Sequence, residues 1–327
     1  MLLLTLLACA GDDTSTPHSG TTSVPTATWE AAFDASTAGS LSGVWGSGPD
    51  DVTIVGGDDD RGEIWHFDGS GWTMTEMPAV GLLVWVFGFG PDDVWSVGVG
   101  GGAVHWDGSS WEVLATGTTT DLWGIWGTSP SDLWVVGGDP NAGEPLILHY
   151  DGSAFTPVAL PSAENDRGAH SLFKVFGLGG TVWAVGQAGL IVANDGSGFV
   201  QQPTGPVASE DFVSLWGTST GDLIAVGGRS AGLLSTYDGA GSWDTVRPDR
   251  VQGLNAVTFL EPDRAVIGGV GGWVGTVTPS TGEVVREDPY DNRDIHALWT
   301  DGQGRTYGVG GTFYAPHHGT AVVRTEP

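Results

Sequence analysis

Lysine occurs once in this chain, at position 174, and cysteine once, at position 9. A lone cysteine excludes an internal disulfide framework. Ten arginines and the one lysine face 39 acidic residues, which leaves a formal net charge of −28 at pH 7. A chain so acidic repels phosphate backbones, and this argues against a nucleic-acid partner. The phosphate-cradling pattern GxxxxGK[ST] does not occur. The N-terminal apolar run, Leu2 to Ala8, is too short to span a bilayer. In abundance are 55 glycines and 16 tryptophans, in a chain with only 15% charged residues. That is the composition of turns and packed aromatics, and it points to an all-β protein.

The N-terminus reads as a leader rather than as part of the fold. MLLLTLLAC carries a short apolar stretch that ends in a small residue before cysteine. Leu6-Leu7-Ala8-Cys9 resembles the bacterial lipobox. That resemblance implies cleavage before Cys9 and its lipidation, so residues 1–9 are expected to be a lipoprotein signal peptide. No Lys or Arg precedes the apolar run, which places the natural start upstream of Met1 if the resemblance holds. Residues 10–26, rich in Thr, Ser, Pro, Gly and Asp, have little to bury and read as a flexible tether. The folded unit is expected over 27–327.

Within that unit GIWGTSPSDLWVVGG, at 124–138, has close relatives along the whole chain. Aligned copies begin at Leu41, Leu83, Leu122, Leu172, Phe212, Leu254 and Ile295, at spacings of 42, 39, 50, 40, 42 and 41 residues. A period near 40 with four short strands per unit predicts a seven-bladed β-propeller of four-stranded antiparallel blades. The last copy runs out at TAVVRTEP, its third strand, whereas Trp29 precedes Leu41 by 12 residues, close to the 11 between Trp72 and Leu83. ATWEAAF is therefore expected to complete blade seven, closing the ring without an open sheet edge.

Twelve tryptophans fall at recurring positions: Trp45, Trp126, Trp216 and Trp299 at the ends of first strands, Trp95, Trp134 and Trp183 in second strands, Trp106 in a third, and Trp29, Trp72, Trp111 and Trp243 opening fourth strands. All twelve are expected in the core between blades. The double glycines at 56–57, 137–138, 227–228 and 310–311 predict positive φ or close backbone approach. VVGG before LHYDGSAF and IVGG before WHFDGSGW resemble the kelch pattern. VWGS or IWGT followed by DVW or DLW resembles the Trp-rich propeller repeats of bacterial secreted and lipid-anchored proteins. The resemblance implies a cell-envelope propeller; kelch-type propellers include both enzymes and binding modules.

Chemistry-bearing residues mostly recur with the repeat, which marks them as structural. His66, His105 and His149 share one repeat position on three blades and do not converge as metal ligands; Asp68, Asp107, Asp151, Asp195 and Asp238 open turns. Asp58-Asp59-Asp60 lacks the spacing of an EF-hand loop. The two G-x-S-x-G matches, at 217–221 and 228–232, have no strand-to-helix turn to serve as a nucleophile elbow. Thr236 to Trp243 approaches the sialidase box but has Ala240 where that family requires Gly. No cofactor, metal site or catalytic set is expected.

The loops at one end of the ring are left as the candidate site. Arg61, Arg167, Arg229, Arg250 and Arg293 fall in these loops, and Lys174 lies just inside a first strand. Guanidinium forks there suit an anion, although Asp121, Glu164, Asp166, Asp211 and Asp294 share the same face and suit a rim of salt bridges. Trp123 offers a ring for sugar stacking or protein contact. The 50-residue interval places extra loop at 141–146 and 161–170, the latter with Asp166, Arg167 and His170. The leading expectation is a monomeric, non-catalytic propeller, lipid-anchored at the bacterial outer membrane or cell surface or secreted, that recognises a protein or glycan. Its rival is an extracellular polysaccharide hydrolase or lyase using Asp121 and Asp211 as acid and base. A third is a passive spacer with a plugged mouth.

Overall fold

The structure, a computed structural model, describes residues 27–205 and 207–327. The leader, Cys9 and the tether lie outside the described residues. The closing strand β1 is Thr28–Ala31. Blade one comprises β2 (Ser40–Gly48), β3 (Asp51–Gly57), β4 (Gly62–Phe67) and β5 (Trp72–Met77); blade two, β6 (Leu83–Gly90), β7 (Asp93–Gly98), β8 (Ala103–Trp106) and β9 (Trp111–Val113). Blade three comprises β10 (Leu122–Ser129), β11 (Asp132–Asp139), β12 (Ala142–Tyr150) and β13 (Phe155–Pro157); blade four, β14 (Leu172–Leu178), β15 (Thr181–Gly186), β16 (Ile191–Asn194) and β17 (Phe199–Gln201). Blade five comprises β18 (Phe212–Gly217), β19 (Leu223–Gly227), β20 (Leu233–Tyr237) and β21 (Trp243–Val246); blade six, β22 (Leu254–Glu261), β23 (Arg264–Gly269), β24 (Val274–Thr278) and β25 (Glu283–Glu287). Blade seven is β26 (Ile295–Thr300), β27 (Arg305–Thr312), β28 (His318–Thr325) and β1.

Each blade is an antiparallel sheet, and the seven first strands touch one another in a closed ring around the axis. The N-terminal strand does complete blade seven: Thr28 pairs with Thr325 and Ala31 with Val322. Segment 141–146, expected as extra loop, is instead mostly strand, because β11 and β12 run on past the usual hairpin and close on Asp139 and Ala142.

The WG pairs have a packing explanation. Trp45 of blade one lies over Gly88 of blade two, and Trp299 of blade seven over Gly46 of blade one; a Cβ at either glycine would stand 2.6 Å from the indole. Each large ring thus seats where the next blade has no side chain, which lets two sheets approach face to face. Trp29, Trp95, Trp183 and Trp243 are buried, while the other eight of the twelve are partly exposed at blade seams.

The double glycines do two jobs. The first of each pair lies near the end of a second strand, where a Cβ would meet a backbone carbonyl at the start of the paired first strand, and the second adopts positive φ, as at Gly57 (131°) and Gly138 (137°). Blades two, four and six replace the pair with a short 3-10 turn at Val99–Gly101, Gln187–Gly189 and Val270–Gly272.

The recurring polar residues are structural. His66, His105 and His149 each bond the aspartate that opens the adjacent second strand of their own blade, Asp51, Asp93 and Asp132, at 2.7, 2.8 and 2.7 Å. Asp68, Asp107, Asp151 and Asp238 accept from a serine hydroxyl and from turn amides, which holds these exposed carboxyls at about 2. Asp58 likewise caps the amides of Asp60 and Arg61.

Candidate functional site

Every first strand carries the same irregularity. Pairing with the second strand slips between Leu41 and Gly43, Leu83 and Trp85, Leu122 and Gly124, Leu172 and Lys174, Phe212 and Ser214, Leu254 and Ala256, and Ile295 and Ala297. The residue passed over is a β-bulge, and a bulge re-aims its side chain out of the ladder. Ser42, Val84, Trp123, Phe173, Val213, Asn255 and His296, one from each blade, all line one cavity of about 340 Å³ where the first strands converge. Phe313, from the loop joining β27 and β28, stacks on His296 with centroids 4.1 Å apart and forms part of the wall.

The wall is chiefly apolar and aromatic, with a few fixed polar groups. Asn255 donates its amide to the Ile295 carbonyl at 3.1 Å, which leaves its own carbonyl oxygen as an acceptor. His296 bonds the Leu41 carbonyl through Nδ1 at 3.0 Å, so Nδ1 carries the proton and Nε2 is an acceptor. Burial pushes the His296 imidazole down to about 4, against the pull of the Leu41 carbonyl and of Asp294. Because its folded value lies below the unfolded 6.5, the unfolded chain binds more protons between these limits, and stability rises with pH from about 4 to 6.5. Replacing His296 by Gln should flatten that part of the profile. We expect the wild type to lose roughly 2 kcal/mol more than the variant between pH 7 and pH 4 in urea unfolding, less than the full shift implies because the ring edge opens to the cavity.

Asp211 and Asp294 also line the cavity, and they have a structural duty as well. Asp121, Asp211 and Asp294 precede blades three, five and seven, and each accepts the central amide of the 3-10 turn in the preceding blade: Gly100 at 2.8 Å, Ala188 at 3.1 Å and Gly271 at 2.7 Å. These aspartates latch blade two to three, four to five and six to seven. Asp121 and Asp211, the acid and base of the hydrolase reading, stand two blades apart, and only Asp211 lines the cavity.

Of the residues expected at the site, the cavity brings together Trp123, Lys174, Asp211 and Asp294. None of the expected loop arginines lines it, and they mostly hold their own loops. Arg61 pairs with Asp58, Glu63 and Glu76, and Arg293 pairs with Asp291. Arg167 donates to the carbonyls of Ala188 and Ala208 and to Thr204. Arg229 reaches Asp211 at 3.1 Å from an exposed position, and Arg250 is exposed at positive φ. His170 bonds the Gly143 carbonyl. Trp85, Phe173, Asn255, His296 and Phe313 were not anticipated. The signal for four of them lies in the aligned copies, since the column after each leading apolar residue and the one beyond it share no chemistry from blade to blade.

Lys174 is the most unusual of these groups. It stands beside Phe173 on β14 and is only 6% exposed. Its Nζ sits over the Trp85 ring, 2.7 Å from the centroid, two blades away. Gly124 lies between them, with no side chain to fill the lane; a Cβ there would come within 3.2 Å of the Lys174 Cα. Burial alone holds the Lys174 amine well below the ordinary lysine range, with no carboxylate opposing it.

These features define the chain as a seven-bladed β-propeller with a lined cavity at its axis. No family model and no curated protein matches it. Solved structures share the fold at low identity. YCF48 bound to D1 peptide is 14% identical with a TM-score of 0.67, over 91% of this chain and 97% of that one. A catalytically inactive variant of virginiamycin B lyase from Staphylococcus aureus, with quinupristin, is 13% identical with a TM-score of 0.73, over 92% and 99%. The WD40 propeller domain of Doa1 is 10% identical with a TM-score of 0.69, over 92% and 98%.

Proposed function

We propose that this protein is a recognition propeller that holds a segment of a partner protein in the cavity at its axis. The observation that carries this reading is the row of seven bulged side chains: the scaffold repeats, while the residue it aims at the axis differs from blade to blade. Trp123, Phe173 and Phe313 suit an apolar or aromatic side chain of the partner. Asn255, His296, Asp211 and Asp294 offer acceptors, so the bound segment is one rich in donors, and the net charge of −28 favours the approach of a basic one. YCF48, of the same fold, is known with a bound peptide. In this reading Cys9 is the lipid anchor and residues 10–26 hold the propeller off a cell-envelope membrane, as the lipobox and kelch-like resemblances imply.

Peptide-library screening with the whole chain tests the reading. Trp123→Ala and Asn255→Ala should each weaken a selected peptide at least tenfold, about 1.4 kcal/mol. A peptide bound equally well by the wild type and both variants would overturn the assignment to this cavity.

A further inference from the structure

We propose that Lys174 is a carbonyl-capturing amine, and that the axial cavity takes an aldehyde or ketone carried on an aromatic or apolar body, joined to Nζ as an imine. Its position supports this. A buried lysine ordinarily has an acid beside it, because an unpaired ammonium loses its hydration without compensation. Lys174 makes no ion pair or hydrogen bond with any described residue, and its neighbours are the Trp85 face, Phe173 and the open cavity. The titratable groups on the same wall are Asp211, Asp294 and His296; both aspartates are engaged with the turn amides of Ala188 and Gly271, and Asp211 is also paired with Arg229. Desolvation favours the neutral amine against the attraction of the Trp85 face for an ammonium, and the amine's lone pair is the nucleophile that Schiff-base chemistry needs.

The step balances without a redox partner. The Nζ lone pair adds to the carbonyl carbon, the carbonyl π pair moves to oxygen, and a proton passes from nitrogen to oxygen to give a carbinolamine. Loss of that hydroxyl as water forms the C=N bond while nitrogen gives up its second proton. Solvent entering the open cavity, with the Asp211 and Asp294 carboxylates on the same wall, would carry the protons. The aromatic walls would select the body of the carbonyl compound. The proposal goes beyond peptide recognition and does not depend on it.

That Lys174 is the only lysine makes the test direct. The whole chain carrying Arg286→Lys, an exposed position on β25, has one buried and one exposed lysine in the same molecule. It is treated with benzaldehyde and sodium cyanoborohydride, which traps imines as stable benzylamines, and each lysine is followed by peptide mass spectrometry. At pH 7, Lys174 should be benzylated at least tenfold faster than the lysine introduced at position 286. The ratio of the two rates should fall by about tenfold per pH unit toward pH 10 as the exposed amine loses its proton. Equal or slower labelling of Lys174 at pH 7, or a ratio that does not change with pH, would overturn the proposal. Labelling as expected in a chain whose selected peptides ignore Trp123→Ala would uphold the amine and overturn only the peptide reading.

Discussion

Replacing Glu287 by Ala should cost about 3–5 kcal/mol, read as a fall in the urea midpoint with an unchanged slope. Glu287 ends β25, the outer strand of blade six, and its carboxylate ties that blade to both outer strands of blade seven. Arg324 on β28 donates Nε at 2.9 Å and Nη2 at 2.8 Å, and Trp29 on β1 donates Nε1 at 2.8 Å. The Arg324 side chain is 2% exposed and that of Glu287 8%. Without the carboxylate, Arg324 is left buried with only Glu326, at 3.1 Å, and the indole N–H of Trp29 loses its acceptor. The cost therefore comes chiefly from a buried cation left with one carboxylate that Arg264 also uses. Two companions separate this from simple loss of packing. Glu287→Gln keeps an acceptor for Trp29 and should fall between wild type and Ala. The double variant Glu287→Ala with Arg324→Met should be less damaged than Glu287→Ala alone, because no buried cation remains short of its main partner. A loss below about 1 kcal/mol for Glu287→Ala would mean that the closing strand is held by its ladder bonds and not by this cluster.

Gly98→Ala should destabilise by about 3 kcal/mol or more, although it adds one methyl group in an extended stretch of backbone. The φ of Gly98 is −163°, which any residue adopts, so the cost is steric. The new Cβ would stand 2.1 Å from the Leu82 carbonyl oxygen and 2.8 Å from the Leu83 Cα, backbone atoms at the start of the paired strand β6. Neither can swing aside as a side chain would. Gly100, two residues on, supplies the contrast: its φ is 64° and nothing lies within 4 Å of an added Cβ. Gly100→Ala should therefore cost only the left-handed penalty, about 1 kcal/mol. Equal losses in the two variants would show that backbone conformation, and not close approach, is what reserves the second-strand ends for glycine. The same contact recurs in all seven blades, from Gly56 to Gly310.

Much of the fold is legible in single residues. The seven leading residues from Leu41 to Ile295 count the blades, and Trp29, spaced like the tryptophans that open other fourth strands, places the closing strand. The repeated His and Asp positions reveal structural pairs because each bonds within its own blade. The site is less legible. Strand alternation alone does not tell that the residue after each leading position is bulged, since the bulge belongs to the pairing of two strands. The loop arginines were a reasonable expectation from charge, but their guanidinium groups mostly meet carboxylates and carbonyls of their own surroundings. Lys174 was visible as the only lysine, but its burial against Trp85 was not, because that contact passes over a blade whose side chain is missing at Gly124.

Local chemistry repeated about every 40 residues was enough to specify four strands, a turn, and an aromatic ring that needs a neighbouring glycine, and so to specify seven blades and their closure. Which side chains share the cavity was decided only by the tertiary structure. Ser42 and His296 are separated by most of the chain, and they meet at the axis because the ring closes and the bulges turn them inward. A contact set by ring closure and bulge geometry shows in the sequence only as columns that vary from copy to copy, and those columns do not say which residues meet.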